Sequence, residues 1–381
     1  MNVLFLTAWY PVENTPHKGI FVQEHAHAIA RTGHKVTVVV LDISNSSSMW
    51  KRSQVRIDEQ DGVTTYVISL HSRYWKKIYA IYPVLRRMFL KYFEQTIAGK
   101  FSPDIIHSNV LYPAGLLGNE IATRLKAPHL ITEHWSKANE FLDSHPYAGK
   151  GRLTYQNANA LTFVSEFLNK RMQPYVKTNI PVRVIPNVIR TDLFTYVPKS
   201  RSQKIIFTAA ATWTNPKRPD LFTEALHEIA KANNALSIEL QFFGDGPQLD
   251  VFRVQTFPAN FSIHYRGFCT KEEIASQLHK SDYFLHASEI ETFSIVVAEA
   301  LCTGTPVIAS ERGALPELVN VSNGILCENT VESWKTGILT AINTSYSAEA
   351  ISAAIAERYA AKSIGKAFSE LYTEICGNST H

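Results

Sequence analysis

Cysteine is scarce in this chain of 381 residues, which holds only Cys269, Cys302, Cys327 and Cys376. They are scattered, with no close pair at zinc or redox spacing, so reduced, buried thiols are expected. No apolar run approaches the roughly 18 residues that a membrane-crossing helix needs. The N-terminal segment Met1 to Thr7 has no basic stretch before its apolar residues, which argues against an export signal. A cytoplasmic chain that does not span a membrane is the expectation. Polar low-complexity tracts are also missing, and with 45% hydrophobic and 19% charged residues the chain reads as globular throughout. Disorder should be limited to short loops and the last few residues. No Gly-x-Gly-x-x-Gly follows the first strand-like run, which counts against a nicotinamide-dependent oxidoreductase.

What is present has room for two ordinary cores, since domains run about 100 to 200 residues. Charge is divided unevenly. Residues 1–185 carry 22 Lys and Arg against 13 Asp and Glu, a balance of +9, whereas residues 186–381 carry 16 against 21, a balance of −5. The basic half suggests an anionic acceptor, a membrane surface or nucleic acid, and charge alone does not choose between them. Apolar β-type runs at Asn2 to Leu6 and Lys35 to Leu41 flank a helix-forming segment, Gln23 to Thr32, which Gly33 stops. Asp104 to His107, Leu130 to His134 and Ala160 to Val164 repeat the strand pattern. After a Pro-containing, polar stretch from Val182 to Gln203, read as a linker, it restarts at Ile205 to Ala210, Ile238 to Phe243, Ser262 to Tyr265, Tyr283 to His286, Pro306 to Ala309 and Gly324 to Cys327. Alternation of this kind predicts an α/β chain of two doubly wound parallel sheets, with ligands beyond the carboxyl ends of the strands.

The most informative run is His286 to Ser310, which holds Glu291 and Glu299 eight residues apart between two strand-like segments. On a helix that spacing is about 800° of rotation, so both carboxylates would project from one side. Glu291 would stand at the helix opening, where free N–H groups near Thr292, Phe293 and Ser294 attract a diphosphate, and Glu299 would reach the hydroxyls of a ribose. The flanking Ile295, Val296, Val297, Ala298, Ala300 and Leu301 make the segment apolar nearly all round, so an acid at 299 needs a partner.

This run, with Gly304-Thr-Pro306, Gly313-Ala-Leu-Pro316-Glu317, Asn323-Gly324, Phe243-Gly244-Asp245-Gly246-Pro247 and Ile185-Pro186-Asn187, resembles the retaining glycosyltransferases of family four. They carry a Glu-x7-Glu motif on the GT-B fold, and the matches span most of the chain in the family's order. The resemblance implies two Rossmann-like domains facing a cleft. An acceptor-binding domain would cover residues 1–185, a nucleotide-sugar domain 186–355, and a helix over 356–376 would cross back to the first.

It also implies roles for particular residues. Lys217 matches the lysine that offsets the diphosphate, while the expected arginine falls on Ala211 or Thr212 and is either missing or supplied by Arg218. A solvated helix start is the alternative for that pair. Gly244 and Gly246 would wall the base pocket or simply form a tight turn, and Arg266 lies in a segment near the nucleobase. His134 corresponds to the histidine beside the transferred sugar, with His107 as a weaker competitor that shapes the acceptor wall. Gly19 would let backbone N–H groups approach the phosphates, or serve only as a helix-start turn. No metal and no cofactor are implied, since the nucleotide sugar is a substrate.

The densest basic and aromatic stretch, Arg73 to Phe93, includes Trp75, Lys76, Lys77, Arg86, Arg87 and Lys91. It reads as an amphipathic helix that docks on anionic lipid at the inner face of a membrane, or else packs its apolar side on the first sheet. The expected function is transfer of a sugar from a nucleotide-diphosphate donor to a glycan or lipid-linked acceptor with retention, in cell-surface polysaccharide synthesis, with no nucleic acid partner. The alternatives are a nonenzymatic nucleotide- or glycan-binding protein and a GT-B epimerase or phosphorylase.

Overall fold

The structure, a computed structural model, describes residues 1–44, 54–199 and 203–377. The chain forms two compact units, Met1–Val188 with Ala361–His381, and Ile189–Ala360. These divisions fall a few residues after the expected 185 and 355. Residues 200–202 of the expected linker, and the last four residues, where disorder was expected, lie outside the described residues.

The first unit is built on eight strands: β1 (Asn2–Thr7), β2 (Lys35–Ser44), β3 (Gln54–Gln60), β4 (Val63–His71), β5 (Ile105–Asn109), β6 (His129–Glu133), β7 (Ala160–Phe163) and β8 (Val182–Val184). Their order is β3-β4-β2-β1-β5-β6-β7-β8. All neighbours pair in parallel except β3, which runs antiparallel to β4 along the edge. Val3 to Leu6 and Ile105 to Ile106 are essentially inaccessible, as expected of central parallel strands covered on both faces. Val182 to Val184, read as part of the linker, is instead the last strand of this sheet.

The helix Ile20–Ala30 packs against the helix Ala361–Gly377, so a segment distant in sequence completes this unit. Gly365 makes the approach possible, because a side-chain carbon there would stand 2.3 Å from the Ala28 carbonyl oxygen. The single helix expected over 356–376 is in fact two, Ala348–Tyr359 and Ala361–Gly377, with Ala360 extended at φ −62° and ψ 150° between them.

Six parallel strands form the second unit: β9 (Ile205–Ala210), β10 (Ile238–Phe243), β11 (Phe261–Tyr265), β12 (Tyr283–His286), β13 (Val307–Ser310) and β14 (Gly324–Cys327). Their order is β11-β10-β9-β12-β13-β14. Chain order reverses between β9 and β12, the kind of switch point beside which open α/β sheets bind ligands. Phe207, Phe222, Phe242, Trp213 and Trp334 fill the core between sheet and helices.

Candidate functional site

Beyond the carboxyl ends of β9 and β12 in the second unit, two loops are zipped together by backbone hydrogen bonds. Arg218 N donates to Ala287 O at 3.0 Å, Glu289 N donates to Pro216 O at 3.0 Å, and Lys217 bridges Ser288. This pairing carries the Lys217 ammonium to the Glu291 carboxylate, which it contacts directly. His286, at the end of β12, lies 2.9 Å from the same oxygen through Nε2. All three side chains are largely shielded, at 19%, 13% and 2% exposure for Lys217, Glu291 and His286. Burial works to raise the Glu291 carboxyl, but Lys217 and His286 outweigh it and hold it down at about 2. Burial, reinforced by Lys217, pushes His286 below its ordinary 6.5, so it is a neutral ring donating a hydrogen bond from Nε2.

The helix that carries Glu299 is Ile295–Cys302, and it begins four residues after Glu291 rather than directly behind it. Ser294 caps it at φ 74°, a left-handed conformation that prevents the helix from reaching back. Glu291, expected just before the helix, lies instead in a loop four residues ahead of it, so the rotation reckoned along a helix does not set where the two acids point. That loop is fixed by Ala314 N donating to Glu291 O at 2.9 Å and by Gly313, where a side-chain carbon would stand 2.3 Å from the Glu291 oxygen. Phe293 is buried against Tyr359, and Ser294 Oγ lies 3.2 Å from His286 Nε2; Thr292 is half-buried beside them.

Glu299 is 4% exposed and is met by Lys271, whose Nζ lies 2.6 and 2.8 Å from its two oxygens. Burial raises the Glu299 carboxyl above its usual range, while Lys271 and Arg190 pull against that rise. The partner that an acid at 299 needed is thus Lys271, which sequence reasoning missed together with His286. A signal was there for the lysine. It opens the helix Lys271–Leu278 directly after Thr270, whose capping box with Glu273 marks the start, and a cation in that first turn opposes the helix dipole.

Arg218 does not stand free to replace the arginine absent at Ala211 and Thr212. Its guanidinium bonds Asp220 and, at 2.7 Å, Glu289. Gly244 and Gly246 answer to a close approach, because side-chain carbons there would lie 1.9 Å from the Ala211 oxygen and 2.2 Å from the Trp213 oxygen. Gly244 N also donates to Gly267 O at 2.7 Å, which joins the turn after β10 to the Arg266 segment. Arg266 itself bonds Gln241 Oε1 at 2.8 Å.

In the first unit, His134 follows β6 at 5% exposure, with Phe21 and His25 around its ring and Asn109 Oδ1 3.2 Å from Nε2. Burial, aided by His25, holds it well below its ordinary pKa, so it is a neutral hydrogen-bonding group and carries no charge. Its loop is pinned by Glu133, also missed. The carboxylate accepts from the N–H groups of Leu111, His134 and Trp135 and from the Tyr155 hydroxyl, all between 2.9 and 3.0 Å. His107 is fully enclosed, with both nitrogens taken by Tyr372 and Thr132, so it lines no acceptor wall. Gly19 caps the first helix at φ 69°, pressed so closely on Trp9 that a side-chain carbon would stand 2.2 Å from its carbonyl carbon.

The basic stretch forms two helices, Trp75–Ala80 and Tyr82–Thr96, not one, because Pro83 lies in the first turn of the second. Tyr82, Leu85, Phe89, Leu90 and Phe93 face inward. Arg86 is held by Glu120, whereas Lys76, Lys77, Arg87 and Lys91 are exposed and Trp75 is half-buried. No described helix is long and apolar enough to cross a membrane. Among the described residues no three or more His, Cys, Asp or Glu side chains are grouped to hold a metal ion.

Two family models match the chain: "Glycosyltransferase Family 4" over residues 19–193 and "Glycosyl transferases group 1" over residues 202–344. An uncharacterised glycosyltransferase of Methanocaldococcus jannaschii is 26% identical over 63% of this chain and 66% of its own length. The alpha-monoglucosyldiacylglycerol synthase of Streptococcus pneumoniae is 27% identical over 59% of this chain and 55% of its own. The chain thus matches somewhat less than two thirds of these relatives. Anabaena HepE, solved in complex with UDP, superposes with a TM-score of 0.69 at 16% identity, over 98% of this chain and 100% of that one. With the Glu-x7-Glu run and two Rossmann-like units in place, the chain belongs to the family-four glycosyltransferases of the GT-B fold.

Proposed function

We propose that this protein transfers a sugar from a nucleoside-diphosphate sugar to a glycan or lipid-linked acceptor, with retention at the anomeric carbon. One observation carries the reading: an ionised, shielded Glu291 sits at the carboxyl end of a parallel sheet in contact with the Lys217 ammonium and the His286 ring. A neighbour solved with UDP supports the donor class, and a relative named as a diacylglycerol glycosyl synthase supports the acceptor class.

In the reaction the bond from the anomeric carbon to the diphosphate oxygen breaks as the acceptor oxygen bonds that carbon on the same face. The acceptor's proton passes to the departing diphosphate. Lys217 supplies the positive charge that offsets the leaving group, a preorganised stabilisation in place of a metal ion. Glu291 orients sugar hydroxyls, Glu299 holds the ribose, and the neutral His134 contributes a hydrogen bond to the sugar. The exposed Tyr74, Lys76, Lys77, Ile81, Val84 and Arg87 would rest on anionic lipid and bring a lipid-linked acceptor within reach.

Thermal unfolding with UDP, GDP and ADP and their sugar forms tests the donor assignment. A ligand at about a hundredfold over its Kd stabilises by about 2.7 kcal/mol, a shift of several degrees. A shift that Glu291→Gln weakens only for the sugar-linked form supports the assignment. Binding with neither transfer nor hydrolysis would instead favour a nonenzymatic nucleotide-binding protein.

A further inference from the structure

We propose that Lys271 is a positioning residue of the nucleotide site: it keeps Glu299 ionised and fixed in one orientation, so that ribose hydroxyls meet a preset carboxylate. This rests on the donor reading above.

The argument starts from geometry. A carboxylate at 4% exposure on a helix of almost unbroken apolar composition is costly unless it is paired. Lys271 Nζ contacts both of its oxygens, at 2.6 and 2.8 Å, and so fixes the plane of the group. A lysine in the first turn of its own helix works against the dipole, unlike Glu272 and Glu273 in the same turn, and Lys271 spends its charge on Glu299 of another helix. Its ammonium also lies 5.8 Å from the centre of the Phe194 ring, which restricts where it can move. Arg190 adds attraction to Glu299 and also donates to Asp192 at 3.0 Å.

Each carboxylate oxygen has two lone-pair sites. With one site per oxygen given to Lys271, one on each remains, which matches two neighbouring hydroxyls. A charged acceptor makes stronger hydrogen bonds than a neutral one, so ionisation matters to affinity. Without Lys271, burial would carry the Glu299 carboxyl further above its usual range. The carboxylate would then be lost at a higher pH than in the wild type.

The test is titration calorimetry of the whole protein with UDP, GDP and ADP from pH 6 to pH 8, on wild type, Lys271→Met, Lys271→Arg and Glu299→Gln. Wild type should bind one of the three with an affinity that depends less on pH over this range than that of Lys271→Met. Lys271→Met should bind it at least about tenfold more weakly at pH 6, the loss of one charge-assisted contact, and recover affinity towards pH 8 as Glu299 ionises. Lys271→Arg should restore most of the affinity and flatten the profile, which a lysine that only fills space would not do. Lys271→Met binding like wild type at every pH overturns the inference and leaves the donor site intact. A wild type that binds none of the three overturns the donor reading, and this inference with it. Should Lys271→Met fail to fold, the Lys271→Arg profile and the pH-independent weakening expected of Glu299→Gln decide the matter.

Discussion

Acid should unfold the first unit well before it touches the second. Five histidines are buried there, His25, His27, His107, His129 and His134, against His286 alone among the described residues of the other unit. Burial is the leading cause that lowers each of the five, to about 4 for His25 and about 3 for His129. In the unfolded chain each takes a proton near 6.5. Between pH 6.5 and about 4 the unfolded state therefore binds more protons, and stability falls as pH falls. At pH 5 the chain stands about 1.5 units below the unfolded value and above both folded ones. At about 1.36 kcal/mol per unit, His25 and His129 then cost about 2 kcal/mol each. The raised carboxyls of Glu133 in this unit and Glu299 in the other act in the opposite sense, gaining protons in the folded state first. Glu291, held at about 2, begins to lose its contribution only below about pH 4.5. A loss of about 4 kcal/mol in a unit of some 200 residues lowers its midpoint by about 8 to 16 °C. Scanning calorimetry at pH 8 and pH 5 measures it, and His129→Gln, which can still meet Ser108, isolates one share. The variant should be less stable at pH 8 yet lose about 2 kcal/mol less on acidification. An equal loss in variant and wild type would refute the reasoning.

Gly313→Ala forces a carbon to within 2.3 Å of the Glu291 carbonyl oxygen at φ 59°, so the Glu291 loop must move. A displacement approaching 1 Å costs about a hundredfold in turnover; activity and circular dichroism together check this, and full activity would show that the loop tolerates the shift. For the basic segment, flotation with anionic and neutral vesicles compares wild type with a variant lacking Lys76, Lys77 and Arg87. Wild type should float only with anionic vesicles, and the variant with neither. Indifference to lipid charge would end the proposal of a docking surface.

Most of the strand positions were open to inspection because buried parallel strands are written as short apolar runs. β3 was not, since it lies at the sheet edge with Arg56 to Gln60 exposed and carries no such apolar run. Pro83 could have shown that one helix does not run through Ile81, because a proline belongs in a helix's first turn rather than its middle. The spacing of Glu291 and Glu299 was plain and Lys217 was named for the diphosphate, but the pairing of Lys217 with Glu291 and of Lys271 with Glu299 was not, the partners being 74 and 28 residues apart. Glu133 gave no sign at all, since nothing local distinguishes an acid that will accept four hydrogen bonds from one facing water.

The helix Ala361–Gly377 has a consequence for the order in which the protein matures. It places Ile364, Phe368, Leu371, Tyr372 and Ile375 in the core of the first unit, and the Tyr372 hydroxyl lies 2.7 Å from the enclosed His107. At about 1.5 to 3 kcal/mol per buried apolar side chain this is on the order of 10 kcal/mol, as large as the whole stability of a typical domain. During synthesis, the unit translated first must wait for residues made after the entire second unit, with the face of the helix Ile20–Ala30 bare in the interval. The contiguous unit, Ile189–Ala360, can close on itself sooner. The half of the protein that leaves the ribosome first is thus the half that finishes last, and it is the half a nascent-chain chaperone would need to shield.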